Sequence, residues 1–177
     1  MKPIVVRLPW NMGRILYTPD TGEARFGADQ FFLSNLQADL IRGGSILKSF
    51  NLGSGVVTDA GVAFMADDFL DGSSSITTFD YHATGIGTGA AVVGDTTLEN
   101  VTGAPARVAG TPTNPTAPQY RSVATVSYTS GLAITEWGLF DAASAGTLWD
   151  RRVFGAINVV NGDSIQFTYT LTINSGG

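Results

Sequence analysis

The stretch "SIQFTYTLTI", Ser164–Ile173, decides the fold. Ile165, Phe167, Tyr169, Leu171 and Ile173 alternate with Gln166, Thr168, Thr170 and Thr172. Successive side chains of a strand point to opposite faces, so this pattern gives one apolar face and one threonine face. Asn161-Gly162 just before it is a tight-turn signal, and it ties the strand to "AINVV" in an antiparallel pair.

Upstream the same grammar recurs. "ITTFDYHAT" (76–84), "YRSVATVSYT" (120–129), "AITEWGLFD" (133–141) and "TLWDRRVFG" (147–155) are rich in β-branched and aromatic residues and read as strands. "AASAG" supplies a turn between the last two. "GAPARVAGTPTNPTAP" (103–118), with four prolines, reads as an extended loop. One segment is helical: "VTDAGVAFMADDFLDG" (57–72), capped by Thr58 or Asp59, ended by Gly72, with Val62, Met65 and Phe69 on one face. Short strands, frequent turns and a single helix predict a mainly β protein, an antiparallel β-sandwich or jelly roll with an extended N-terminal arm. The arm is residues 1–50 and the sandwich domain 51–177. Within the arm, "ADQFFLSNLQADLI" fits a loose helical stripe, or alternatively a hairpin belonging to the core.

Composition excludes several functions. The chain of 177 residues has no cysteine, so disulfides and cysteine–zinc sites are absent. Its net charge is −5 with lysine only at 2 and 48, which argues against direct nucleic-acid binding. No run reaches the length of a membrane span, and the N-terminus lacks a secretory apolar core. Charged residues are 14% of the chain, against roughly 25% in an average domain. Such a surface suits a protein covered by neighbours in an assembly.

The stretch "HATGIGTGAAVVGD" (82–95) raises the question of a phosphate-cradling loop. Its glycines at 85, 87 and 89 miss the G-x-G-x-x-G spacing, and Gly94 interrupts the helix a dinucleotide site needs. They read instead as strand positions where a neighbouring element packs close. His82, the only histidine, shares a strand face with Asp80, a base-and-orienter pairing without a nucleophile at a recognisable spacing. Glu136 faces the strand carrying Arg151 and Arg152, and a structural ion pair across that hairpin is expected. The same strand reading sets Trp137 and Leu139 on one face, and Ile134, Glu136 and Phe140 on the other. Glu136 beside Trp137 and Trp149, with His82, also makes a candidate sugar contact. No catalytic, cofactor or metal residues are assigned, and no cofactor is expected.

"FDYHATGIGTGAAVVGDTTLEN" and "YRSVATVSYTSGLAITEWGLFDAASAGTLWDRRVFGAINVVNGDSIQFTYTLTI" together resemble a group of tailed-bacteriophage virion proteins. The resemblance covers roughly residues 50–175. It implies a non-enzymatic jelly-roll module on the particle, made in the host cytoplasm and placed on the capsid surface. The first expectation is a decoration or cement protein, a homotrimer bound to the major capsid protein. A tail, collar or fibre component is the alternative, and a carbohydrate-binding virion module a third. On the first expectation the arm hydrophobics Ile4, Val5, Leu8, Trp10, Phe31 and Phe32 make the partner contacts, with no membrane or nucleic-acid partner.

Overall fold

The computed structural model describes residues 4–6, 14–17, 24–27, 32–71, 79–116 and 118–173. The chain divides into two units, residues 32–173 and the remainder. In the smaller unit β1 (Ile4–Val6), β2 (Arg14–Tyr17) and β3 (Ala24–Gly27) form an antiparallel sheet in that order. Ile4 and Val5 lie on β1, whereas Leu8, Trp10 and Phe31 fall outside the described residues.

The larger unit is mainly β. Its first sheet has the order β5-β4-β13-β10-β9, built from β4 (Phe32–Arg42), β5 (Ser45–Gly53), β9 (Thr111–Thr113), β10 (Gln119–Ser127) and β13 (Ser164–Ile173). Its second has the order β6-β12-β11-β7-β8, from β6 (Val56–Val57), β7 (Tyr81–Gly85), β8 (Val108–Ala109), β11 (Leu132–Phe140) and β12 (Leu148–Val159). All pairings are antiparallel. The two sheets pack face to face over one core that holds Leu36, Ala38, Val126, Ile165 and Phe167 from the first and Ile134, Trp137, Leu139, Ile157 and Val159 from the second.

β13 behaves as its alternation dictates. Ile165, Phe167, Tyr169 and Leu171 are buried, while Gln166 and the threonines are half-buried on the outer face. Burying each of the aliphatic and aromatic chains contributes roughly 1.5–3 kcal/mol before conformational entropy is charged against it. Ile173 departs from the pattern and is 41% exposed at the sheet end.

The stretch that fits a helical stripe is β4. Ser34, Leu36, Ala38 and Leu40 are all buried and all two residues apart, so period two wins over the looser helical match. β4 pairs with β13 from Phe32↔Ile173 to Ser164↔Ile41, and Gly43-Gly44, with φ of 58° and 80°, turns it into β5. The boundary between arm and domain therefore falls before Phe32, not at residue 50. Phe32 is a sandwich residue, not an arm residue: it is half-buried, with its ring edge-on to Trp149 at 5.5 Å.

Helix α1 (Asp59–Asp71) follows its sequence signals at the start. Thr58 accepts from Gly61 N at 3.1 Å, and its hydroxyl donates to Leu148 O. Gly61 lets the helix backbone sit against Trp149, where a Cβ would come within 2.8 Å of the ring. The packed face is Gly61, Phe64 and Met65, with Val62 left 42% exposed.

Removal of residues 1–31 is expected to leave a chain with one cooperative thermal transition by circular dichroism. Removal of residues 1–45 takes away β4 and strips one flank of β13, and is expected to abolish that transition.

Candidate functional site

The chemistry-bearing residues gather in three places, all built on the second sheet. Bulges set which way they face. β11 and β12 pair Ile134 with Ile157 and Glu136 with Val153, so β12 has two more residues than β11 between those rungs. Across this irregularity Ile134 faces inward with Trp137 and Leu139, while Glu136 and Phe140 face out. Strict alternation, which puts Ile134 with Glu136 and Phe140, fails at this bulge.

The outer cluster centres on Glu136, which is fully buried although it lies on the sheet's outer face. The loop 86–107 covers it. Glu136 accepts hydrogen bonds from Gly87 N at 3.0 Å, Glu99 N at 3.0 Å and Asn100 N at 2.8 Å. Arg151, two strand rungs away, donates Nε and Nη2 to the same carboxylate at 3.0 and 2.8 Å. Its other contacts are Asp95 at 2.9 Å, the Gly89 carbonyl at 3.3 Å and the Glu99 carboxylate at 3.7 Å. Burial pushes the Glu136 carboxyl up, but the backbone N–H groups and Arg151 outweigh it and hold the carboxyl below its usual range. A groove of about 450 Å³ lies beside the cluster, lined by Gly89, Asp95, Thr97, Glu99 and Arg151 among others. The Arg151 donors facing this region are engaged by protein oxygens.

The glycines explain how a loop comes so near a carboxylate. A Cβ on Gly85 or on Gly87 would sit 2.5 Å from Glu136 Oε1. Gly85 ends β7, and Gly87 and Gly89 lie in the loop beyond it, not in a strand. Close approach is what two of them provide, with Glu136 as the neighbour. The same loop buries Leu98 against Ala83, Phe140 and Leu148 in a second small core. Arg107 stacks 3.3 Å over the Phe140 ring and donates to the carbonyls of Ala142 and Ala145.

The inner cluster centres on His82, which is fully buried between the sheets. Trp137 Nε1 donates to His82 Nδ1 at 3.1 Å, which leaves Nε2 to donate to Ser122 Oγ at 2.8 Å. Burial pushes the imidazole down to about 3, so it is neutral across the physiological range. Asp80 does not orient it: its carbonyl accepts from Gly110 N, and the position an orienting acid would take is held by the indole. His82 and Ser122 thus bridge the two sheets. Ser122 was legible only as a polar residue in the inward stripe of β10 with Ala124 and Val126.

Asp150 forms the third place. It faces inward on β12 and is fully buried, with Oδ2 accepting from Tyr169 OH at 3.1 Å. Tyr169 in turn accepts from Trp149 Nε1 at 2.9 Å. Burial, only partly opposed by Ser34, Tyr169 and Arg152, pushes the Asp150 carboxyl up to about 6.

The structure therefore brings Glu136 and Arg151 together and sends Arg152 to the other face, opposite Trp137. The four candidate sugar contacts, His82, Glu136, Trp137 and Trp149, are at most 2% exposed. They are not surface residues. Among the described residues no cluster of three His, Asp or Glu is placed to hold a metal ion, and no helix is long and apolar enough to cross a membrane. No protein-family model, curated protein or solved structure matches the chain.

Two experiments follow. Gly87→Val drives a methyl group into the Glu136 carboxylate, and Glu136→Gln leaves Arg151 short of a counter-charge. Each is expected to cost on the order of 3 kcal/mol in urea unfolding.

The two inward titratable groups set opposite pH slopes. His82, with its folded pKa depressed below 6.5, costs stability as pH falls from about 6.5 toward 3. Asp150, with its folded pKa raised above 3.8, costs stability as pH rises from about 3.8 toward 6. Between pH 4 and 6 the two cancel. Asp150→Asn is expected to uncover a loss of about 2–3 kcal/mol as pH falls across that window, and His82→Gln a loss of similar size as it rises.

Proposed function

We propose that this chain is a non-enzymatic structural protein of a tailed-phage virion, a decoration protein that binds the major capsid protein lattice and stabilises the head. The observation that carries the reading is the division of labour among its residues. The groups capable of chemistry, His82, Glu136, Arg151 and Asp150, are buried and bonded to the protein itself. The outer face of the first sheet is mostly uncharged and polar, with Asn35, Gln37, Gln166, Thr168 and Thr170, with Asp39 and Arg121 as its charged residues, and with Leu33 43% exposed at its end. A face with one acid and one base among uncharged polar residues suits contact with a lattice, because burying it desolvates few charges. The sequence resemblance to virion proteins supports the same reading, and with it a homotrimer. Stabilisation then comes from many copies, each adding apolar contact between neighbouring capsid subunits.

The burial of Trp137, Trp149, His82 and Glu136 speaks against a glycan-binding module that uses them. A tail, collar or fibre position is the remaining alternative. The test adds full-length protein to purified phage heads that lack it. Saturable co-sedimentation, with a raised temperature of DNA release, is expected. Recovery of the protein with purified tails alone moves it to the alternative position.

A further inference from the structure

Among the described residues, the sheet edges differ in length. β6, β8 and β9 are two or three residues long, whereas β5 is nine residues long and has no outer neighbour. β6 pairs only with Asp150 and Arg151, which leaves β12 from Arg152 to Val159 unpaired on that side. Both open edges border one flank. A Cβ on Gly53, the end of β5, would lie 3.6 Å from Arg152 Nη2. From that crossover β5 runs back to Ser45 and β12 runs on to Val159. Phe50 and Phe154 are half-buried along it, packed on the core from either sheet.

The flank has a charge of its own. The chain carries a net charge of −5, yet residues 43–57 and 151–162 contain no acid. Of their three cations, Arg151 points to the opposite face and is neutralised there. Lys48 and Arg152 have no ion pair among the described residues. Lys48 Nζ rests 4.7 Å over the Phe50 ring, and Arg152 Nε is buried without a hydrogen-bond partner. Asp150 faces inward from β12 and acts on Arg152 only through space, Asp39 lies on the other face of β4 opposite Ser49, and Asp163 is held by Arg42 at 2.7 Å. Beside Lys48, Ile46 and Leu47 are 62% and 57% exposed. An unpaired edge offers its N–H and C=O groups to a further strand, and unpaired cations beside it select the charge of that strand.

We propose that this flank docks an extended, carboxylate-bearing segment of a partner protein, which adds to β5 as a further strand with its acidic side chains toward Lys48 and Arg152. This rests on the structural reading above and names the surface it uses. A second copy of the chain is the poorer occupant, because pairing β5 with β5 supplies no carboxylate and brings Lys48 toward Lys48.

The test titrates full-length protein with a capped octapeptide of alternating glutamate and valine, and with its lysine–valine counterpart, while backbone amides are followed by NMR. The acidic peptide is expected to bind with Kd below about 1 mM and to shift the amides of Ser45–Leu52 but not those of β9. Lys48→Glu, at an exposed position that leaves the core intact, is expected to weaken it at least about tenfold and to favour the lysine peptide. The proposal fails if neither peptide saturates, if both bind equally, or if the shifts fall elsewhere. It also fails if β5 amides shift with protein concentration alone, which assigns the flank to a second copy. Heads that take up Lys48→Glu as readily as the parent chain displace this surface and leave the decoration role standing. Peptide binding without head binding does the reverse.

Discussion

The buried Glu136–Arg151 pair is the contact on which the second sheet depends. A carboxylate on the outer face of a sheet would ordinarily face water. Here it has five protein donors, three from the backbone of one loop and two from Arg151. Those three N–H groups belong to a segment with almost no regular structure, so the carboxylate replaces the partners that a strand or helix would have given them. The loop is thereby held flat over the sheet, and Leu98 acquires somewhere to be buried. Removing either charge leaves the other desolvated, so the pair behaves as one unit.

The sandwich interior has a parallel logic. Apolar faces attract without direction and would tolerate sliding of one sheet over the other. Directional bonds across the core remove that freedom: His82 to Ser122, Tyr128 to Thr84, and Trp149 through Tyr169 to Asp150. Each joins the first sheet, or in Tyr128 the residue that follows its strand β10, to the second, and each is correct in only one relative position of the two.

Much of the fold was legible because β-structure writes itself in alternation. β13, β10, the hairpin turn at Asn161-Gly162 and the capped start of α1 follow directly from residue order. Three features escaped it. β4 was hidden because Phe32 and Leu33 put large apolar side chains on both faces at its start, which mimics a helical stripe. The bulge before Glu136 shifts the phase of β11 by one residue, and no local residue type marks it. Asp150 and Ser122 escaped because a polar residue in an inward stripe is recognised only once its partner, distant in sequence, is known. The pairing of Glu136 with Arg151 was within reach, since both lie on one hairpin. The covering loop was not, since glycine spacing alone does not name what approaches.

The chain enters the larger unit at Phe32 and leaves it at Ile173, and these two residues face each other as the terminal rung of β4 and β13. Tension applied between the segments on either side therefore pulls at a single point. The rungs separate one after another, like a zip opened from its end, and each bond bears the load alone. Tension carried in through the β4–β5 turn instead acts along the strands, where all rungs share it. The same sandwich is soft to one direction of pull and stiff to the other, a property set by where its ends lie and not by how tightly its core is packed.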